Sequence, residues 1–144
     1  MSTKSPTSEA SETIRNFYAA VDRKPHDRST LETFFAMNFK DNNRPPAPAE
    51  IADRDVILGL FDQLNSGLPT AKHDLIIVEP ISDNRAIVYW KFYGTHSGAF
   101  FDQPASGNNV AINGFDIFRV KDGQFTEHWH VEELASMFAQ MGAK

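Results

Sequence analysis

The feature that most constrains this chain is a change of hydrophobic period near residue 70. Before it, apolar residues recur at spacings of three and four; after it, β-branched and aromatic residues gather in short runs separated by turn chemistry. Ile14, Phe17, Tyr18 and Val21 fall at i, i+3, i+4 and i+7, which predicts a helix over Glu9–Asp22. The charged stretch Asp22–Arg28, with Pro25, separates it from a second helix. Ser29 and Glu32 have the spacing for reciprocal capping there, and Leu31, Phe34 and Phe35 form its apolar face. Three prolines within Asn42–Pro48 exclude a helix at that point. Val56, Ile57, Leu60, Phe61 and Leu64 then restore helical spacing up to Gly67 and Leu68-Pro69.

Further on, Asp74–Glu79 and Arg85–Tyr93 flank the turn Pro80–Asn84, and Asn109–Lys121 and Gln124–Val131 flank Asp122-Gly123, a tight-hairpin signal. Four strands in two hairpins result, joined by an excursion Ser97–Asn108 that carries Gly98, Pro104 and Gly107. Leu134, Met137, Phe138 and Met141 describe a last short helix that Gly142 stops. Helices first and an antiparallel sheet second predict an α+β arrangement in which helices cover one sheet face. At 144 residues one core is expected, hence one domain over residues 9–144 behind a Ser/Thr-rich tail, Met1–Ser8.

Charge and composition exclude several classes. The net charge is −5 and no stretch concentrates Lys and Arg, so nucleic acid and anionic lipid are not expected partners. The absence of cysteine removes disulfides, thiolate metal sites and a thiol nucleophile. No run approaches the roughly 18–20 apolar residues of a membrane span, and no apolar stretch follows the N-terminus, so a cytoplasmic location is expected.

Gly94-Thr95-His96-Ser97-Gly98-Ala99-Phe100, then Pro104 and Gly107, the run Gly114–Gly123, Glu127-His128-Trp129 and Gln140-Met141-Gly142 resemble the SnoaL-like polyketide cyclases of the nuclear transport factor 2-like superfamily. Phe39-Lys40-Asp41-Asn42 is similar to the family's N-terminal half. The resemblance implies a curved antiparallel sheet wrapped by N-terminal helices into a cone, with a ligand pocket closed by Glu127–Gly142. It also implies a homodimer and cofactor-independent aldol-type cyclisation or isomerisation of a small hydrophobic carbonyl compound. The family's general acid/base stands four residues after the tryptophan, which here is Glu133 in place of the usual aspartate. Asn42 stands where many members carry histidine, and as an amide it can orient a carbonyl without moving a proton.

Alternation along the last strand puts Glu127, Trp129, Val131 and Glu133 on one face and His128, His130 and Glu132 on the other. The face bearing Trp129 is the expected pocket face. Glu133 there would be desolvated, with a raised pKa suited to proton transfer; otherwise it opens the final helix, where an acid favours the helix dipole. His96, at a strand end, is the second catalytic candidate, and its other reading is a hydrogen bond to the Ser97–Asn108 loop. Tyr18, Trp90 and Phe100 are candidate substrate contacts as well as core aromatics, with Phe100-Phe101 read as a lid or subunit contact. Asp116 is a further substrate contact. Asp41 and Asp116 are also the candidates for the second acid that epoxide or ester hydrolysis on the same fold would need. His128 and His130 have a spacing that permits joint metal ligation, but no third histidine accompanies them, and the expectation is a polar row with no metal. A non-catalytic binding module remains the other functional class.

Overall fold

The computed structural model describes residues 8–24, 27–82 and 84–142. The expected tail up to residue 7, and Pro25 and Asp83 of the expected connections, lie outside the described residues. Ser8, read above as the end of the tail, instead caps α1 (Glu9–Asp22), where its Oγ accepts from the Ser11 N–H at 3.0 Å. The second helix, α2 (Arg28–Glu32), is capped by Asp27 and not by Ser29. The Asp27 carboxylate accepts from Ser29 N–H at 3.0 Å, Ser29 Oγ–H at 2.7 Å and Thr30 Oγ1–H at 2.8 Å. Helix α2 ends before the aromatics assigned to its face, and Phe35 opens a strand, β1 (Phe35–Asp41). Helix α3 (Asp53–Gly67) follows the proline loop as expected.

The remaining elements are β2 (Lys72–Ser82), β3 (Arg85–Thr95), β4 (Asn109–Lys121), β5 (Gln124–Glu132) and α4 (Leu134–Gln140). At the β4–β5 turn Asp122 and Gly123 both adopt left-handed backbone, with φ of 53° and 74°, the pair a two-residue hairpin requires. The five strands lie in the order β1-β5-β4-β3-β2 in one open, curved sheet. β2, β3, β4 and β5 pair antiparallel with one another and β1 runs parallel to β5, so the sheet is mixed where a four-stranded antiparallel one was expected.

Helix α1 packs across β2, β3 and β4, and α3 packs on β1. Phe17 of α1 sits at the centre of the contact. Its ring meets those of Tyr18, Phe34, Phe35, Phe61, Phe118 and Phe125 edge-on, with centroids 5.2 to 6.4 Å away. Phe17→Ala is therefore expected to lower unfolding free energy by about 3–5 kcal/mol in urea titrations. A loss below about 1 kcal/mol would show that these rings close over the gap on their own.

One irregularity decides which side chains point inward. Opposite Arg119 and Val120 the register of β5 slips, pairing Val120 with Phe125 and Arg119 with Glu127, so Thr126 is an inserted residue. The inward phase thus passes from Phe125 to His128, His130 and Glu132, which pair with Phe118, Asp116 and Gly114 on the helix-covered face.

Candidate functional site

Between the inner sheet face, α1, α3 and α4 lies a cavity lined by side chains from each of them. Its apolar wall comes from Ile57, Leu60 and Leu64 of α3, Leu134 and Met137 of α4, and Phe92 and Ile112 of the sheet. The C-terminal segment therefore walls one side of the cavity. The Gln140 side chain fastens α4 to the sheet: its Oε1 accepts from Ala111 N–H at 2.7 Å and its Nε2–H donates to Ala111 C=O at 3.0 Å.

One polar cluster in this apolar space centres on Asp116, which is 5% exposed. Its Oδ2 accepts from the Tyr18 hydroxyl and from Trp90 Nε1–H at 2.6 Å, and its Oδ1 lies 2.7 Å from His128 Nε2. Gly114 makes the Trp90 bond available. A Cβ at that position would lie 2.4 Å from the indole Cζ2, so only glycine lets the ring lie flat across its paired strand. Burial pushes the Asp116 carboxyl up, but the hydrogen bonds from His128, Tyr18 and Trp90 outweigh it and hold the group below the usual carboxylate value. Asp116 is thus a buried anion. Burial and the adjacent Asp116 charge together hold the Tyr18 hydroxyl well above its ordinary pKa, so it stays protonated.

A second cluster abuts the first. The Phe118, His128 and His130 rings stack in series at 4.2 and 4.4 Å. His130 Nε2 lies 2.9 Å from Asp41 Oδ1, and His130 Nδ1 lies 2.8 Å from Glu132 Oε2. Burial would lower the pKa of His130, but the hydrogen bonds to Asp41 and Glu132 prevail and raise it to about 10. Burial likewise pushes the pKa of Asp41 up, but the hydrogen bonds from His130 and the Asn43 N–H outweigh it and the pKa is lowered. His130 is an imidazolium gripped by two carboxylates.

Asp41, His128 and His130 bring ligand atoms within 4.8 Å of one another, which invites a test for a metal centre. An imidazole lone pair lies in the ring plane, and the two rings are stacked with only 19° between their planes. As arranged, both His130 nitrogens face carboxylates. The three groups stand here as a charge and hydrogen-bond network.

Of the residues expected from sequence, the structure brings Tyr18, Trp90 and Asp116 together and places five elsewhere. Glu133 is exposed at the N-cap position of α4, and its Oε1 accepts from Asn113 N–H at 2.7 Å on the outer side of the sheet. Trp129 also faces outward, between the guanidinium groups of Arg85 and Arg119 at 5.8 and 5.9 Å. Asn42 is exposed and donates to Glu127 Oε2 at 3.0 Å and to His128 C=O at 3.2 Å. His96 is fully buried within its own loop, where Nδ1 lies 2.9 Å from Ser106 Oγ. Phe100 is 1% exposed and packs on Phe138 and Gly67 as core, not as a lid. The face bearing His128, His130 and Glu132, read as a polar row turned away from the pocket, lines it instead. His73, which sequence reasoning did not single out, lines it too.

No curated protein sequence matches this chain. Among solved structures, TsrD from Streptomyces laurentii superposes with a TM-score of 0.77 at 21% identity, over 98% of this chain and 100% of that one. IdmH from Streptomyces antibioticus, a candidate polyketide cyclase, gives 0.73 at 24% identity over 93% and 99%. A candidate SnoaL-like polyketide cyclase from Jannaschia sp. CCS1 gives 0.77 at 17% identity over 100% and 99%. These likenesses are to the fold. The family model for SnoaL-like polyketide cyclase matches residues 12–141, nearly the whole described chain, so the protein belongs to the SnoaL-like polyketide cyclase family.

Proposed function

We propose that this protein is a cofactor-independent acid/base enzyme that enolises a hydrophobic carbonyl compound for cyclisation or isomerisation, with Asp116 as its base. The observation that carries the reading is an anionic carboxylate buried in an apolar cavity and held by three side-chain donors. A carboxylate has about four acceptor positions, so one remains for a substrate proton. As the carbon–hydrogen bond breaks, its electron pair moves toward the carbonyl oxygen and the proton joins Asp116. Protonated Asp116 accepts less strongly, which frees the Tyr18 hydroxyl to donate to the enolate oxygen. A base held at low pKa suits a carbon acid already activated by a neighbouring carbonyl or ring. Buried ionisable groups are costly in a pocket that merely stores an apolar ligand, which favours catalysis over passive binding.

The reaction class is tested without the natural substrate by following deuterium incorporation next to the carbonyl of 2-tetralone in D₂O. Exchange faster than in buffer, and saturable in ketone, is expected. Exchange at the buffer rate would contradict the reading. Hydrolysis is a second reading, because Asp41 and Asp116 both line the cavity. Turnover of 2-naphthyl acetate with no exchange of 2-tetralone would select it.

The homodimer implied by the resemblance draws support from the outer sheet face. Ile77, Tyr89, Phe115 and Val131 pair successively across β2, β3, β4 and β5 as one apolar row, and Phe115 and Val131 are 47% and 69% exposed. Tyr89 and Phe115 stack at 4.7 Å. Such a continuous exposed row fits a two-fold copy of itself. Light scattering is expected to give twice the chain mass for the wild type and the monomer mass for Phe115→Glu; a monomeric wild type would contradict this.

A further inference from the structure

We infer that His73, clamped by Asp22, is a second proton-transfer residue of the cavity, acting on a substrate oxygen at the end nearest α1. The inference rests on the acid/base reading of the cavity. Asp22, the last residue of α1, takes the His73 backbone N–H on Oδ2 at 2.7 Å and lies 2.8 Å from ring Nδ1 through Oδ1. An ionised carboxylate only accepts, so Nδ1 carries a proton and Nε2 is the end left for exchange. Nε2 has no hydrogen-bond partner among the described residues. The side chain is nevertheless only 5% exposed and lines the cavity.

The surroundings place this ring beside the Asp116 network. The His73 ring lies 4.7 Å from that of Tyr18 and 5.5 Å from that of Trp90, two of the three residues that donate to Asp116. Phe92, 5.0 Å away, walls the other side. Tying α1 to β2 requires only the backbone N–H bond to Asp22. The oriented ring, with its far nitrogen open beside two substrate-facing aromatics, exceeds what that tie needs. Asp22 does for His73 what an orienting carboxylate does for a catalytic histidine: it fixes the tautomer and the direction of the free nitrogen.

The step starts from the imidazolium form of His73, protonated at Nδ1 against Asp22 and at Nε2. Asp116 removes the proton from carbon, and Nε2–H of His73 gives a proton to the oxygen on which negative charge collects. His73 is left neutral and Asp116 protonated, and one proton passing from Asp116 to His73 through solvent restores both.

Long-range ¹H–¹⁵N correlation of the wild-type imidazoles, titrated with 2-naphthol and with naphthalene, reads the nitrogen directly. Expected is a protonated Nδ1 and an Nε2 resonance that moves with 2-naphthol and stays with naphthalene. In the 2-tetralone exchange assay, His73→Gln is expected to lower kcat by about tenfold to a hundredfold with KM little changed, and Asp22→Asn by less. An Nε2 resonance unmoved by 2-naphthol overturns the inference. So does full exchange in His73→Gln beside an impaired Asp116→Asn. Full exchange in Asp116→Asn beside an impaired His73→Gln removes the role given to Asp116 and leaves that of His73 standing. If His73→Gln fails to fold, the wild-type titration still decides.

Discussion

Asp116→Asn is expected to lower the enolisation rate by about 10²–10⁴-fold, the range lost when a positioned base is removed, while Glu133→Gln leaves it unchanged. Both substitutions preserve shape and remove a carboxylate, so the contrast isolates position. Asparagine at 116 keeps an oxygen for Tyr18 and Trp90 but turns an amide toward His128, which must change tautomer to accept from it. A stability loss of about 1–3 kcal/mol should accompany the kinetic one, so rates are compared below the lower melting temperature. Glu133 gives up only a bond to the Asn113 backbone at the start of α4. Equal activity in wild type and Asp116→Asn, or a collapse in Glu133→Gln, would return the catalytic role to the residue that the sequence resemblance marked.

The second large effect concerns stability. His130→Gln removes the cation between buried Asp41 and partly buried Glu132, leaving two carboxylates facing a neutral amide, and is expected to destabilise the protein by about 3–5 kcal/mol near pH 7. The sign of the pH dependence follows from the raised pKa. His130 titrates near 6.5 when unfolded and near 10 when folded, so its stabilisation is complete below about pH 6.5 and drains away as pH rises toward 10. Asp41 and Asp116 are shifted the opposite way, so their contribution is present above about pH 4 and is lost as pH falls through their lowered values. Wild-type melting temperature should therefore decline between pH 6.5 and 10, and the decline should vanish in His130→Gln. A wild type flat over that window would mean that His130 is not held as an imidazolium.

Much of the fold was legible because its signals are local. The periodicity of Ile14, Phe17, Tyr18 and Val21 locates α1, and Asp122-Gly123 adopts the backbone its turn type demands. Strand β1 was hidden because Leu31, Phe34 and Phe35 fit a helical stripe as well as they fit a turn followed by a strand. What pairs β1 with β5 is tertiary: the Phe125 N–H bonds to Phe34 C=O at 2.7 Å, and the Asn42 N–H to His128 C=O at 2.8 Å.

The site was half legible for a similar reason. Tyr18, Trp90 and Asp116 are singled out by residue type, and the structure joins them. The orientation of β5 was not, because Trp129 pointed to the wrong face. Counting alternately from the core residue Phe125 errs the same way, since the residue inserted at Thr126 reverses the phase. One inserted residue thus moves His128, His130 and Glu132 into the cavity and sends Trp129 and Glu133 out of it. The His73–Asp22 pair spans 51 residues and has no local signature at all.

The two tryptophans give the most direct test of this inward and outward assignment. Trp90 donates its indole N–H to Asp116 inside the cavity, and Trp129 lies on the opposite face of the sheet. In a ¹H–¹⁵N titration with 2-naphthol the Trp90 indole resonance is expected to move saturably while that of Trp129 stays in place. Movement of Trp129 with Trp90 unchanged would contradict the placement of the site.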